Sequence, residues 1–381
     1  MKKKKILFAI ESLSGGGAEK ILTTIVKNLD KTKFDITVLV VVHTGVYLKE
    51  VSKYCKVKYI LEDYSNIQSY IGKLKYRLEY KKIYSIPIDK VYRKYVLDKY
   101  DIEIAFVEGY ATKLIAASTN HKSRKIAWVH TDLLKNSYAD EIYTDQNEHL
   151  ETYRQYNCIF CVSQNVKESF ENKFHISTKA VVQYNPVDEE EIRKKSVQEL
   201  DIVYPYQGLL LGTIGRLEYQ KGYLRLLKCV KRLLEKGYQF TIWIIGLGSE
   251  KEKLEQYIKE NNLNSAVILL GFKENPYQYL RYCDAFICSS YAEGFSTAAT
   301  ESIILGRPIF TVECSGMKEL IGNSGCGEIV PNTNEELYNL LERLVSGEYN
   351  LEEYKKKAIK RSENFLLKTR ICEIEEKFLD I

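Results

Sequence analysis

Two glutamates eight residues apart, Glu293 and Glu301, are the side chains of this sequence most suited to binding a polyhydroxylated ligand. They follow the apolar run 284–290, which predicts a buried parallel strand. Glu293 then lies in the loop at the carboxyl end of that strand, and a helix predicted at 296–305 carries Glu301. Open α/β sheets bind ligands at this edge, so the two carboxylates could hold sugar hydroxyls there.

The residues between the two glutamates add an anion-binding element. Gly294 lets the backbone approach a ligand closely. The amides of Phe295, Ser296 and Thr297 open the predicted helix, and the positive end of a helix attracts phosphate. Sugar hydroxyls and phosphate together indicate a nucleotide sugar. The alternative is a pair of carboxylates on a solvated helix start, which is common on protein surfaces.

Two cations follow a second apolar strand, predicted at 209–215. Arg216 and Lys221 each stand next to a glycine. Arginine can fork onto phosphate oxygens, whereas lysine acts as a compact point charge. One charge pair at 4 Å is worth about 4 kcal/mol at an effective dielectric constant of 20, so the two could stabilise a departing diphosphate. An exposed pair in a solvated loop is the alternative.

A glycine turn follows the first predicted strand, 5–10, and precedes a helix predicted at 18–28. The turn consists of Gly15, Gly16 and Gly17. Such a turn at a helix start can hold a diphosphate. Its spacing lacks the third glycine of the dinucleotide-binding fingerprint, which disfavours NAD binding. A tight turn without a ligand is the alternative.

His130 follows the strand predicted at 125–129. At the carboxyl edge of a sheet it could face a ligand, or it could pack as a hydrogen-bonded core residue.

These elements resemble the motifs of retaining, nucleotide-sugar-dependent glycosyltransferases of family 4. Glu293 and Glu301 match the family's E-x7-E signature, Arg216 and Lys221 match its G-R-x4-K-G element, and the glycine turn matches its N-terminal loop. The resemblance implies the GT-B fold: α/β, with two facing Rossmann-like, doubly wound domains, parallel sheets and a central cleft. The nucleotide sugar would bind the C-terminal domain and the acceptor the N-terminal domain.

The resemblance also implies roles for individual residues. Glu293 would lie by the donor sugar and Glu301 would hold the nucleotide ribose. His130 would lie close to the donor sugar, and the glycine turn would reach the donor diphosphate. Glu293, His130, Arg216 and Lys221 are therefore the predicted catalytic residues. The predicted donor-binding residues are Gly15, Gly16, Gly17, Arg216, Lys221, Gly294, Phe295, Ser296, Thr297 and Glu301.

Length and strand alternation predict two domains, since 381 residues exceed what one core usually serves. A first strand–helix series ends near residue 186 and a second begins at 208. We predict an N-terminal domain over 1–188 and a C-terminal domain over 208–361. The resemblance implies that the last helix, about 362–381, packs back onto the N-terminal domain.

Composition predicts a cytoplasmic protein. The hydrophobic content of 45% and charged content of 28% are ordinary for a globular protein, and the nine scattered cysteines indicate reduced thiols. The apolar run 6–10 after the basic leader is too short for a signal peptide. The longest aliphatic stretch, 36–42, is too short to span a bilayer.

A basic stretch at 64–100 predicts peripheral contact with an anionic membrane surface, on the inner face of the cytoplasmic membrane. It holds nine Lys and Arg against three Asp and Glu, a net charge of +6 where the whole chain carries +5. Tyrosines, which suit a surface with one wet side, interleave with the cations. A plain solvated face is the alternative. RNA is disfavoured because no RNA-binding motif accompanies the stretch.

We therefore predict transfer of a sugar from a nucleotide sugar, with UDP the preferred nucleotide, to a glycan or lipid-linked sugar in the synthesis of a capsule or other cell-surface polysaccharide. Retention of configuration is implied by the resemblance alone. No cofactor or metal is expected, since the Asp-x-Asp motif of the other glycosyltransferase fold is absent. The alternatives are a noncatalytic GT-B partner of another glycosyltransferase and a sugar-nucleotide epimerase.

Overall fold

The computed structural model describes residues 2–136, 138–200, 206 and 208–380, and it divides the chain into two compact units. The first unit comprises Met1–Pro186 and Arg370–Ile381, and the second comprises Val187–Thr369. Parts of the predicted linker, 201–205 and 207, lie outside the described residues. Within the described ranges, no helix is long and apolar enough to cross a membrane.

The first unit is built on a seven-stranded parallel sheet with strand order β3-β2-β1-β4-β5-β6-β7. Residues 6–10 at the sheet centre are at most 2% exposed, because helices cover both faces of a doubly wound sheet. The strands are β1 (Lys4–Ile10), β2 (Phe34–Val42), β3 (Lys56–Leu61), β4 (Ile102–Ala105), β5 (Arg124–Val129), β6 (Cys158–Cys161) and β7 (Ala180–Val182).

Seven α-helices connect or follow these strands among the described residues. They are α1 (Gly17–Asn28), α2 (Leu48–Val51), α3 (Tyr70–Ser85), α4 (Ile88–Tyr95), α5 (Tyr110–Ala116), α6 (Gln146–Arg154) and α7 (Gln164–Phe174). Most bury an apolar face, but α3 buries only Ile83.

The second unit repeats the plan with a six-stranded parallel sheet of order β10-β9-β8-β11-β12-β13. Its strands are β8 (Leu209–Ile214), β9 (Phe240–Ile245), β10 (Val267–Gly271), β11 (Ala285–Cys288), β12 (Ile309–Val312) and β13 (Gly327–Val330). Its helices are α8 (Glu189–Ser196), α9 (Tyr223–Glu235), α10 (Lys251–Glu260), α11 (Tyr277–Leu280), α12 (Thr297–Ile304), α13 (Met317–Ile321), α14 (Asn334–Val345) and α15 (Leu351–Ser362).

The C-terminal helix α16 (Leu367–Asp380) continues into the first unit, which takes residues 370–381. Phe378 is fully buried there, with its ring 6.2 Å from Phe8 and 6.1 Å from Phe34. Lys4 Nζ donates to the carbonyl oxygen of Phe378 at 3.0 Å. Residues 362–369, which we expected to join the first domain, belong instead to the second unit.

The prediction of two doubly wound α/β domains is confirmed, but the sequence does not predict the last strand, β13. The edge strand β13 has only four residues, three of them partly exposed, so its sequence shows no apolar run. The domain division falls at residue 186, and α8, which we had placed between the two domains, belongs to the second unit.

Candidate active site

The glutamate loop of the second unit follows β11 and ends in a capped helix. Ser296 occupies the N-cap of α12, and its hydroxyl accepts a hydrogen bond from the Ala299 amide at 3.3 Å. The helix begins at Thr297 and ends at Ile304, one residue inside the predicted bounds at each end. The amide of Thr297 therefore lies in the first turn of α12, as a phosphate-binding helix start requires.

Glu293 and Lys221 form an ion pair at the carboxyl edge of this sheet. The Glu293 Oε1 atom lies 2.7 Å from Lys221 Nζ and accepts a hydrogen bond from the Ser290 hydroxyl at 2.6 Å. Glu293 is only 8% exposed, whereas the Lys221 side chain keeps 24% exposure. Burial opposes the charge on Lys221, but the Glu293 carboxylate outweighs it and raises the pKa of the ammonium group.

Glu301 lies in the interior of α12 and is 3% exposed. Its Oε1 accepts a hydrogen bond from the Tyr277 hydroxyl, 3.1 Å away at the start of α11. Tyr277 was not among the predicted site residues, because a tyrosine in a short polar segment carries no motif. The hydroxyl fixes the carboxylate on the side of α12 that faces α11.

The loop bearing Arg216 packs against the turn after β9. The Leu217 amide donates to the Leu247 carbonyl at 2.9 Å. At Gly246 (φ +147°) a Cβ would lie 2.0 Å from the Gly215 carbonyl oxygen, so only glycine fits. The turn at 246–248 thus fixes the loop that carries Arg216. The Arg216 side chain itself is exposed.

Contacts between two loops bring Lys221 to Glu293. The Tyr291 amide donates to the Gln220 carbonyl at 2.8 Å, and the Ser289 hydroxyl donates to the Lys221 carbonyl at 3.0 Å. Gly222 adopts φ +66°, and a Cβ there would lie 2.1 Å from the Ser289 carbonyl oxygen. The structure thus brings Lys221 and Glu293 together, and Arg216 belongs to the same loop as Lys221.

Arg225 on α9 supports this edge and was missed by the sequence reasoning. It is 3% exposed, and Nε and Nη2 each donate at 2.7 Å, to the carbonyl oxygens of Ser289 and Ser290. Nη1 donates to Asn332 Oδ1 at 2.8 Å, and the guanidinium lies 4.0 Å from the Tyr291 ring centroid. One arginine among the many charged residues of an amphipathic helix gives no sequence signal that it is buried.

The glycine turn of the first unit precedes α1, which begins at Gly17. Gly15 has φ +110°, and a Cβ at Gly16 would lie 2.3 Å from Glu19 Oε2. The positive φ accounts for Gly15 without any ligand, whereas at Gly16 the flexible Glu19 side chain could move aside. Binding of a diphosphate by this turn stays a prediction.

Two carboxylates at the carboxyl edge of the first sheet were also missed. Glu108 is 1% exposed, and its Oε1 accepts from the His130 amide at 2.6 Å and the Thr131 amide at 2.7 Å. Burial raises the pKa of Glu108, although these donors oppose the rise. Burial also raises the pKa of Glu11, which accepts from the Tyr110 amide at 3.2 Å.

His130 follows β5 at this same edge, as predicted. Its Nε2 atom is buried and has no hydrogen-bond partner among the described residues. Burial lowers the pKa of His130 to about 3, so the imidazole is neutral at physiological pH. The ring packs against Phe106, with a centroid distance of 5.0 Å. A neutral imidazole with an unpaired buried nitrogen can form a hydrogen bond with a ligand but cannot supply a positive charge.

No group of three or more His, Cys, Asp or Glu side chains suited to hold a metal ion occurs in the part of the chain that the structure describes. Metal independence stays a prediction.

Two family models match the chain. Residues 205–363 match the model described as glycosyl transferases group 1, and residues 15–191 match the one described as glycosyltransferase family 4. The first match lies within the second unit, and the other covers most of the first unit and residues 187–191 of the second.

Two curated relatives and one solved structure illustrate alignment over nearly the full length of the chain. The N-acetylgalactosamine-N,N'-diacetylbacillosaminyl-diphospho-undecaprenol 4-alpha-N-acetylgalactosaminyltransferase of Campylobacter jejuni is 26% identical, covering 95% of this chain and 96% of the relative. The lipopolysaccharide 1,6-galactosyltransferase of Salmonella typhimurium is 24% identical over 90% of each. The crystal structure of Anabaena HepE in complex with UDP and glucose superposes with a TM-score of 0.75 at 21% identity, covering 99% of this chain and all of that one.

Proposed function

The chain belongs to the glycosyltransferases of the group 1 and family 4 type and has the GT-B fold, and from that premise we propose that it transfers a sugar from a UDP-sugar to a lipid-linked glycan, with retention. The observation that carries the proposal is the edge of the second sheet, where Arg216, the Lys221–Glu293 pair and the start of α12 supply cations, a carboxylate and helix amides. A nucleoside diphosphate sugar needs all three.

In this proposal the second unit binds the donor. Arg216, Lys221 and the first-turn amides of α12 stabilise the diphosphate, and Glu301 accepts hydrogen bonds from the ribose. Lys221 is already paired with Glu293, so a diphosphate that takes over Lys221 leaves the Glu293 carboxylate available to the sugar hydroxyls. UDP is preferred because the similarly folded HepE was crystallised with UDP and glucose.

The proposed reaction forms the bond between an acceptor hydroxyl oxygen and the anomeric carbon while the bond from that carbon to the diphosphate oxygen breaks. The departing diphosphate takes the acceptor proton on the same face, which preserves the configuration. No side chain is needed as a nucleophile in this scheme. His130, if it contacts the donor sugar, does so as a neutral hydrogen-bonding group.

A lipid-linked acceptor in cell-surface polysaccharide synthesis, a capsule included, is supported by the names of the relatives. The Campylobacter relative is named for a diphospho-undecaprenol acceptor, and the Salmonella relative for lipopolysaccharide. The acceptor is assigned to the first unit, with Glu11 and Glu108 at the carboxyl edge of its sheet. A glycan bound to a lipid would bring the enzyme to a membrane.

Helix α3 is the proposed membrane contact. Its exposed apolar residues Ile71, Leu74 and Leu78 are 79%, 50% and 63% exposed and recur at helical spacing, so they form one stripe. Lys75 and Lys82 flank the stripe on one side, and Arg77 and Lys81 on the other. An apolar stripe between cations suits the interface of an anionic leaflet. In this proposal the enzyme binds peripherally to the cytoplasmic face of the membrane.

A screen of UDP-, GDP- and ADP-sugars tests the donor assignment. We expect UDP to raise the melting temperature and one or more UDP-sugars to turn over in the presence of a lipid-linked acceptor. Stabilisation by GDP or ADP with no response to UDP would contradict the donor. Conversion of a UDP-sugar to another UDP-sugar without any acceptor would indicate the epimerase alternative.

A further inference from the structure

A row of tyrosine rings runs along α3 to the edge of the first sheet. Tyr76, Tyr80 and Tyr84 recur every four residues and so share one face of the helix. Successive ring centroids lie 5.3 Å apart between Tyr64 and Tyr76, then 6.2, 4.9 and 4.8 Å through Tyr80 and Tyr84 to Tyr110. We call these five residues the tyrosine row.

The outer members of the row face solvent. Tyr64 is 37% exposed, Tyr80 43% and Tyr84 44%, whereas Tyr110 is 3% exposed and anchors the inner end. Rings that served only to pack α3 onto the unit would be buried, yet Ile83 is the buried residue of this helix. Several neighbouring exposed aromatic rings mark a binding surface more than scattered single ones do.

The inner end of the row contacts Glu11 at the carboxyl edge of the first sheet. The Tyr110 amide donates to Glu11 Oε1 at 3.2 Å, and the Tyr110 hydroxyl donates to the Ile83 carbonyl at 3.3 Å. The charge of Glu11 also contributes to the raised pKa of Tyr84, after burial and the neighbouring Tyr80. A chain lying on the row would therefore point one end at the sheet edge to which we assign the acceptor.

We propose that the tyrosine row binds the sugars of an oligosaccharide acceptor that lie behind the sugar receiving the transfer. The inference rests on the proposed function and adds that the acceptor is several sugars long. Tyrosine combines an apolar face, which packs against the C–H face of a pyranose, with a hydroxyl that can bond to sugar hydroxyls. The exposed rings of Tyr64, Tyr80 and Tyr84 provide such contacts along an extended glycan rather than at one sugar.

The row and the apolar stripe of α3 lie on different faces. At about 100° per residue, the mean direction of Tyr76, Tyr80 and Tyr84 is roughly 150° from that of Ile71, Leu74 and Leu78. A helix whose stripe contacts a bilayer therefore keeps the tyrosine face away from it. Lys73 lies 5.7 Å from the Tyr64 ring centroid and covers part of that ring, so Tyr80 and Tyr84 are the residues to test.

Saturation-transfer NMR with soluble sugars tests the row independently of turnover. The probes are linear hexasaccharides of glucose and of N-acetylglucosamine, with the corresponding monosaccharides. We expect the hexasaccharides to receive saturation from the wild-type protein and the monosaccharides to receive little. The variant Tyr80→Leu/Tyr84→Leu keeps an apolar side chain at both sites and should weaken hexasaccharide binding about tenfold or more.

Tyr70→Leu is the matched control, since Tyr70 is 83% exposed on the same helix but outside the row, and it should bind hexasaccharides like wild type. UDP should raise the melting temperature equally in all three proteins. This measurement distinguishes an error in the proposed role of the tyrosine row from an error in the proposed donor site. The proposal is overturned if no hexasaccharide binds wild type, or if the double variant binds as well. Loss of vesicle binding in the double variant without loss of hexasaccharide binding would assign the row to the membrane instead.

Discussion

At the scale of single residues, the Lys221–Glu293 pair sets a cation and a carboxylate side by side at the carboxyl edge of the second sheet. The two groups lie 2.7 Å apart, and Glu293 is nearly buried. Removing one partner leaves the other charge uncompensated, which costs more than the net contribution of the pair to stability. Variants at this pair therefore affect folding and binding together, and an exposed residue gives a cleaner test.

Arg216 is that residue. We expect Arg216→Ala to lower turnover about a hundredfold to a thousandfold, because one preorganised contact to the departing diphosphate is lost. The melting temperature should stay within error of wild type, since the side chain is exposed. Arg281→Ala is the matched control, an exposed arginine of the same unit outside the proposed site. Equal initial rates for wild type and Arg216→Ala would remove Arg216 from the site.

Glu301 is tested better by Glu301→Gln than by the alanine substitution that its position in the motif suggests. From the sequence alone, Glu301→Ala should leave stability unchanged, but the carboxylate is 3% exposed and bonded to Tyr277. Truncation would open a buried site and leave that hydroxyl without this acceptor. Glu301→Gln keeps the shape and is the variant to use.

Arg225 should position the glutamate loop rather than touch the ligand. Arg225→Met removes the donor to the Ser289 carbonyl and one of several donors to the Ser290 carbonyl, so we expect the free energy of unfolding to fall by about 1–3 kcal/mol. Turnover should fall while the temperature is kept well below melting, and Arg225→Lys should restore part of it. Arg232→Met on the same helix α9 is the control, because Arg232 pairs with Glu335 in an exposed setting. Unchanged stability in chemical denaturation would contradict this role.

His130 gives a prediction for pH. The pKa of His130 is about 3 in the folded protein, below the ordinary value of 6.5. Between these pH values the imidazole binds a proton in the unfolded chain but not in the folded protein. Stability is therefore lost as pH falls from about 6.5 towards 3, by up to about 1.4 kcal/mol per pH unit from this group. His130→Gln should flatten that slope by one proton. The exposed His121→Gln is the control, and identical slopes for wild type and His130→Gln in denaturation series would contradict the assignment.

At the scale of elements, the sequence predicted which residues follow the strands. It did not predict the buried charged side chains that hold those residues in position. Each predicted catalytic residue follows a buried strand whose apolar run is plain in the sequence, so Glu293, Arg216 and His130 could be placed at sheet edges. Arg225 and Glu108 could not, because a charged side chain buried by distant backbone groups looks like any surface charge in a sequence. Whether a charged side chain is buried depends on tertiary contacts that the sequence does not show.

In the basic stretch at 64–100, too, the sequence does not reveal which polar side chains are buried. Its charge count indicated a surface, and α3 does expose most of its cations and most of its tyrosines. Tyr92 was expected to share that surface, but it is 2% exposed on α4 and its hydroxyl donates to Glu103 Oε1 at 2.9 Å. A neighbouring carboxylate from β4 provides the buried partner, and periodicity within the stretch cannot reveal it.

Co-sedimentation with anionic vesicles tests α3 as a membrane contact. Binding should fall with salt, and it should fall again when Lys81, Lys82, Arg93 and Lys94 are changed to Glu, since each cation near an anionic leaflet contributes about 1 kcal/mol. Ile71→Ser/Leu74→Ser/Leu78→Ser should also weaken binding, at unchanged charge. The control carries the same charge reversals at Lys251, Lys253, Lys318 and Lys355 of the second unit. Equal binding by the charge-reversed α3 and α4 variant would rule this surface out.

At the scale of the whole molecule, each unit presents polar groups at the carboxyl edge of a parallel sheet. The second unit has cations and two glutamates there, and the first has carboxylates and a neutral histidine. This difference in charge is consistent with the proposal that the anionic donor binds the second unit and the acceptor hydroxyl binds the first. Under the proposed function, each of the two domains binds one of the two substrates of the transfer.

One reaction tests the central claim most directly: transfer from a UDP-sugar to a lipid-linked oligosaccharide in excess EDTA, with the product's anomeric configuration read by NMR. We predict transfer at the rate seen without chelator, because Arg216, Lys221 and the α12 amides stabilise the diphosphate, and a product anomer identical to that of the donor. Transfer that stops in EDTA and returns with magnesium or manganese, or a product of inverted configuration, would contradict the account.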